Sequence, residues 1–289
     1  MKTLLENLLK GTPKTEPEKV IMDALDKSVF IKIDNVSKYL FQDVDQEYWD
    51  IRTDFPNIAP PFEFFFMEFK LPEFYRSNGK VSKNPSGGIL IGALFISHKL
   101  NDSKGWVYNI IAFSTKRGQD NPIFFPGTAM VLMVDINGKQ KDMVGGQPYG
   151  IVYSEKEYSR DEISETIDTF YRGAVDSCLL AISFMHCKNI SLVDNEPKKN
   201  DAGRNRYGPK IAFKTLLINP MKKVLETEGD IHHNGLKKAL HICRGHFKTY
   251  EDGKGLFGRY PGTYWWSDQV RGKIENGIVE KDYSVGVNK

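Results

Sequence analysis

No apolar run in the chain reaches the roughly 18–20 residues that a membrane-crossing helix needs, which argues against a helical membrane anchor. The first ten residues carry a short leucine patch, but Glu6 and Lys10 interrupt it. Neither the continuous apolar stretch nor the small-residue cleavage site of a secretory leader is present. Cysteine is scarce: Cys178, Cys187 and Cys243 are odd in number and far apart. That usage fits reduced thiols in a cytoplasm rather than a disulfide framework. There is no internal repeat and no low-complexity tract. Gly87-Gly88, Gly145-Gly146 and Gly253-x-Gly255 form neither a phosphate loop nor a dinucleotide fingerprint, and G-x-S-x-G and H-E-x-x-H are missing. These absences point to a soluble cytoplasmic protein without a cofactor or resident metal.

What the chain does contain is enough apolar material for a core: 40% of its 289 residues are hydrophobic and 12% aromatic. The net charge of +3 hides an asymmetry. Residues 197–289 hold 18 Lys+Arg against 10 Asp+Glu, a net of +8, while residues 1–196 hold 22 against 27, a net of −5. A basic C-terminal third on an acidic body suits a polyanionic partner, RNA or DNA first. A solvated basic face with no ligand would show the same bias.

Periodicity predicts short helices across Lys19–Asp26 and Val36–Phe41. A proline-rich loop, Asp54–Pro61, then leads into an apolar strand over Phe62–Phe69. Asn78–Gly88 reads as a polar turn region. Ile89–Ser97, Trp106–Ser114 and Thr128–Val134 read as further strands, closing at the Asn137-Gly138 turn. A capping box of Ser159 and Glu162 opens the strongest helical pattern, with Ile163, Ile167, Phe170, Ala174, Cys178, Ala181 and Met185 on one face. Strands follow at Ile190–Val193 and Ile211–Ile218, and Asp230–Leu240 is helical in its second half. The expected fold class is α+β: a mainly antiparallel twisted sheet packed on a long buried helix, with short N-terminal helices. One domain is expected over residues 1–289. Its parts are a helical lead-in (1–50), a sheet-and-helix part (51–196) and a basic C-terminal part (197–289).

Residues 241–266 concentrate the functional signal. His241-Ile-Cys-Arg-Gly-His-Phe-Lys-Thr-Tyr250 precedes an Asp252-Gly253 turn cue, then Leu256-Phe-Gly-Arg-Tyr-Pro-Gly-Thr-Tyr-Trp-Trp266. As a strand, 242–250 places Arg244, His246, Lys248 and Tyr250 on one face and Cys243, Phe247 and Thr249 on the other. The first face offers cations, a titratable imidazole and a phenol. Arg and Lys can neutralise phosphate, and aromatic rings can stack on unpaired bases. A histidine can move a proton near neutral pH. A sheet surface also carries such residues for solubility alone. Trp265-Trp266 reads as half core and half surface.

His241-x-x-Arg244-Gly245-His246-Phe247, followed by Phe257-Gly258-Arg259-Tyr260 and Gly262-Thr263-Tyr264-Trp265-Trp266, resembles the C-terminal signature of a phage- and plasmid-borne protein family. That family includes an anti-CRISPR protein directed at the type V-A nuclease, acting on nuclease expression at the messenger-RNA level. Its member has a further Arg where Cys243 stands here and a Trp where Phe247 stands. Gly277, Tyr283 and Val285 resemble the family's final strand, and Pro60-Pro61-Phe62 with Glu68 match more loosely. The resemblance is specific over about 45 residues. It implies a cytoplasmic protein of a bacterial host that counteracts host defence.

Two functions follow as expectations. In the first, a non-enzymatic accessory protein binds RNA or a translation-linked protein partner through Arg244, His246, Lys248, Tyr250, Arg259, Tyr264, Trp265 and Trp266. In the second, a metal-independent ribonuclease uses His241 and His246 as acid–base groups, with Arg244 and Lys248 on phosphate and Tyr250 beside them. The first is preferred, because the segment is as rich in aromatics as in acid–base groups. His186-Cys187 with His241-x-Cys243 lacks the usual spacing of a zinc site. His232-His233 reads as a solvated turn, and a Cys243 nucleophile would point away from His246 on the strand reading.

Overall fold

The computed structural model describes residues 3–37, 39, 54–77, 80–100, 104–115, 122–144, 174–196, 211–219, 239–243, 245–255, 260–267, 269–271 and 273–278. The chain divides into two compact units: Met1–His186 with Ser191–Leu217, and Cys187–Ile190 with Ile218–Lys289. The sequence-based division placed one domain over 1–289, with internal boundaries after residues 50 and 196.

The first unit opens with two short helices, α1 (Leu4–Leu8) and α2 (Glu16–Lys27). Each starts at a threonine whose hydroxyl accepts from the backbone three residues on, while that residue's glutamate accepts from the threonine N–H. This reciprocal pairing, Thr3 with Glu6 and Thr15 with Glu18, satisfies backbone donors that a helix start leaves open. After α2 come strand β1 (Val29–Lys32) and one turn of helix, α3 (Asp34–Ser37). A meander follows: β2 (Phe64–Ser77), β3 (Lys80–Lys99), β4 (Trp106–Thr115), β5 (Pro122–Val134) and β6 (Gln140–Val144). Helix α4 (residues 174–185) precedes β7 (Ile190–Asn195), and β8 (Phe213–Ile218) comes next. These strands form one eight-stranded sheet in the order β6-β5-β4-β3-β2-β1-β8-β7.

The architecture corrects the expected fold class. The protein is mostly β, and its large sheet is mixed: β2 to β6 run antiparallel to one another in succession, whereas β1 is parallel to both β2 and β8. Four short helices accompany it among the described residues, rather than one long helix under the sheet. The described end of the expected long helix is α4, where Ala174, Val175 and Cys178–Ile182 are buried. Ser159, Glu162, Ile163, Ile167 and Phe170 lie outside the described residues. The 80–88 stretch, expected as a turn, is strand, because its backbone pairs with β2 from Glu73↔Asn84 to Ser77↔Lys80. Long-range pairing outweighs the local turn preference over Lys80–Asn84, and residues 85–88 fall at an irregularity where the register shifts between Leu71 and Glu73. The same reason makes a strand of Val29–Lys32 inside the expected helical lead-in.

Alternation along β2 divides the core. Phe66 faces α1 and α2, where Leu4, Leu5, Leu8, Ile21, Leu25, Phe30, Leu94 and Phe113 pack together. Phe65 faces the other way and stacks on Phe95 at 4.8 Å, with Tyr108 edge-on to both. The Asp54–Pro61 loop lies on this second face. Tyr108 Oη donates to the Ile58 carbonyl at 2.8 Å, Ser183 Oγ of α4 donates to the Asn57 carbonyl at 3.0 Å, and His186 Nε2 lies 2.9 Å from the Ala59 carbonyl. The Asn137-Gly138 turn forms as expected, with Gly138 at φ +78°.

Glu68, on the α1 face of β2, is a buried carboxylate, 1% exposed. Its Oε2 accepts the Leu4 N–H at 2.6 Å, and Lys32 Nζ on β1 stands 3.8 Å from Oε1. Burial raises its pKa to about 7, against the opposing pull of Lys32 and the α1 amides, with Asp34 adding to the rise.

Candidate functional site

The second unit contains two small sheets. In one, β9 (Ala239–Cys243) lies between β12 (Gln269–Arg271), antiparallel to it, and β13 (Lys273–Ile278), parallel to it. In the other, β10 (His246–Tyr250) and β11 (Gly262–Trp266) form an antiparallel ribbon. The single strand expected over 242–250 is therefore two strands in different sheets, β9 ending at Cys243 and β10 starting at His246. A glycine at 245, buried and without a side chain to hold the alternation, suits the break.

The ribbon's register sets its two faces. Its pairs are His246↔Trp266, Phe247↔Trp265, Lys248↔Tyr264, Thr249↔Thr263 and Tyr250↔Gly262. Period two puts His246, Lys248, Tyr250, Tyr264 and Trp266 on one face, and Phe247, Thr249, Thr263 and Trp265 on the other. On the second face Phe247 meets Trp265 edge-on at 4.9 Å, and the Thr249 and Thr263 hydroxyls are 3.0 Å apart. Trp265 is 1% exposed, so it belongs to the core and is removed from the expected set of ligand-binding side chains. The first face is different. His246 and Lys248 are exposed, Tyr250, Tyr260 and Trp266 are half-buried, and Tyr264 is the buried floor on which those three rings pack. Tyr250 and Tyr264 meet edge-on at 5.9 Å, and Lys248 Nζ sits 4.9 Å from the centre of the Tyr250 ring. A cation at that distance from a ring is attracted by its negative face. The result is a shallow aromatic surface with a lysine and a histidine along its edge.

A segment distant in sequence holds β11 from its far side. The side-chain amide of Asn189, 2% exposed, donates to the Trp265 carbonyl at 2.8 Å and to the Asn219 carbonyl at 3.1 Å. Its oxygen accepts the Trp265 N–H at 3.0 Å. The Lys188 N–H donates to the Thr263 carbonyl at 2.8 Å. The Lys188 stem crosses Gly262 so closely that a Cβ there would lie 3.0 Å from Lys188 Cγ and Cε.

The expected site residues thus fall into three groups. The ribbon gathers His246, Lys248, Tyr250, Tyr264 and Trp266. His241 belongs to β9, opposite Arg271 of β12, and its sheet is not that of His246. Arg244 and Arg259 lie outside the described residues. Tyr260 was noted only as part of a motif, and Asn189 carried no signal, being one asparagine in a polar turn after a helix. No group of three or more His, Cys, Asp or Glu side chains suited to a metal ion occurs among the described residues. No helix among them is long and apolar enough to cross a membrane. No protein-family model, curated protein or solved structure matches the chain.

Proposed function

We propose that the protein is a mobile-element-encoded accessory protein that binds single-stranded RNA on the exposed face of the β10–β11 ribbon. The observation that carries this reading is the juxtaposition of Lys248 and His246 with the Tyr250–Tyr260–Trp266 surface over Tyr264. An unpaired nucleotide presents a flat base and an anionic phosphate. Half-exposed rings take the first by stacking, and an adjacent lysine takes the second. The +8 charge of residues 197–289 adds long-range attraction for a polyanion. The likeness of 241–266 to the anti-CRISPR family supports a role in countering host defence at the messenger-RNA level. The ribonuclease reading is the weaker one, because its two histidines belong to different sheets.

The test is fluorescence anisotropy of the full chain with labelled oligouridine across a salt series. Affinity should fall steeply with salt, and Lys248→Ala should weaken binding and flatten the log–log slope by roughly one. Binding that ignores salt, or no binding, rejects RNA recognition and leaves a translation-linked protein as the partner to seek.

A further inference from the structure

We infer that Asn189 is the positioning residue of the ribbon: its side-chain amide acts as a third strand and locks the register that turns Tyr264 and Trp266 toward the ligand face. This rests on the RNA reading for its consequence, though its structural part stands separately.

The argument starts from backbone groups. In an antiparallel ribbon, alternate residues of each strand direct N–H and C=O toward the partner strand or away from it. The Thr263 carbonyl and both backbone groups of Trp265 are taken by Lys188 and Asn189. They therefore point away from β10, and the pairs that bond across the ribbon are Lys248↔Tyr264 and its alternates. Phe247↔Trp265 and Thr249↔Thr263 are then the close, non-bonded pairs. The ring separation of 4.9 Å and the hydroxyl separation of 3.0 Å agree with that assignment.

A side-chain amide matches a peptide group in having one acceptor beside one donor direction, so Asn189 can satisfy Trp265 on both sides as a strand would. Its second amide hydrogen goes to the Asn219 carbonyl, and its own carbonyl accepts the Asn219 N–H at 2.9 Å. At 2% exposure, none of these groups can turn to bulk water instead. The consequence is specific. A one-residue slip of β11 would send Tyr264 and Trp266 to the Phe247 face and bring Trp265 outward. It would also carry the Trp265 ring out of the core, where it is 1% exposed, and away from Phe247. Only the observed register keeps the amide bonded to β11 and the Trp265 ring buried at once, so a residue that touches no ligand takes part in deciding which rings a ligand meets.

The test compares Asn189→Ala with the wild-type full chain by amide hydrogen exchange and oligouridine binding. Asn189→Asp serves as a second variant that keeps the volume and the acceptor for the Trp265 N–H but loses both donors. Protection of the Lys248 and Tyr264 amides should fall by about tenfold or more, with the β2–β5 amides unchanged. RNA affinity should drop about tenfold while its salt slope stays constant, because no cation is removed. Lys248→Ala should do the reverse, changing the slope and leaving ribbon protection intact. Ribbon protection unchanged in both variants would overturn the inference. So would exchange that accelerates equally in β2–β5, which would make Asn189 a residue of general folding. Full RNA affinity on a loosened ribbon would also overturn it. Wild-type protein that binds no RNA rejects the functional reading by itself, and the exchange measurement alone then decides the register lock.

Discussion

Replacing Glu68 by glutamine should remove a pH dependence that this one carboxyl imposes on folding. The group is 1% exposed, with Leu4 N–H at 2.6 Å and Lys32 Nζ at 3.8 Å as its partners. Burial lifts its pKa from 4.5 to about 7 against both of them. The folded state therefore holds the proton more tightly than the unfolded chain. Stability from this group is complete below about pH 4.5 and is lost as pH rises through about 7. A shift of that size corresponds to about 3 kcal/mol at its full extent. The assay is urea unfolding of wild type and Glu68→Gln at intervals from pH 5 to pH 8, followed by far-UV circular dichroism. Every other ionisable group is common to both proteins, so the difference between them isolates position 68. The glutamine keeps an oxygen for the Leu4 N–H and cannot ionise. Near pH 5 the two should be alike. Toward pH 8 the variant should become the more stable, by up to about 3 kcal/mol. A wild-type protein that gains stability relative to the variant as pH rises would refute the reasoning. It would mean that Lys32 and the α1 amides outweigh burial.

Gly92→Ala should destabilise the first unit by about 1–3 kcal/mol in urea unfolding, because the added Cβ would lie 2.4 Å from Phe66 Cζ and 2.9 Å from Leu4 Cδ2. Phe66→Leu in the same background should restore part of that loss. Cys178 and Cys187 should resist a thiol reagent in the native protein: burial pushes the Cys187 thiol up to about 12 and the Cys178 thiol higher still, so neither forms thiolate near neutrality. In denaturant without reductant all three cysteines should react, and a missing thiol would count against the reduced state. His246→Gln should retain RNA binding, since an amide keeps donor and acceptor, whereas a general acid or base at this position would give a cleavage rate that falls about 10²–10⁴-fold in the same variant. RNA cleavage in chelator that stops in a well-folded His246→Gln protein would reverse the preference between the two functions.

Local chemistry made several features legible in the linear sequence. The Asn137-Gly138 and Asp252-Gly253 turns form where glycine can take positive φ, at +78° and +75°. The apolar runs 62–69, 89–97, 106–114 and 128–134 lie largely in strands, and the nearly all-apolar stretch 178–185 belongs to α4, which is buried from residue 174 to residue 184. The T-x-x-E pairs at Thr3 and Thr15 were equally readable, and attention to them would have placed α1 and the start of α2. The alternation of His246, Lys248 and Tyr250 was visible too, because a strand's faces depend on period alone.

What only the tertiary structure decided is what each strand pairs with. Four residues, Val29–Lys32, hold too little pattern to announce a strand, yet they bridge β2 and β8 in parallel across long stretches of chain. Lys80–Asn84, read locally as part of a turn region, becomes strand by pairing with β2, while residues 85–88 fall at the register shift between Leu71 and Glu73. His241 and His246, five positions apart, separate into two sheets because each strand's partners come from elsewhere in the chain. Trp265 and Trp266 are the same residue type at neighbouring positions, and the register of β11 on β10 buries the first and leaves the second half-exposed. Periodicity is a property of neighbouring residues and can be read from them. Partner choice is set by hydrogen bonds and burial between residues far apart in the chain, and these exist only in the folded protein.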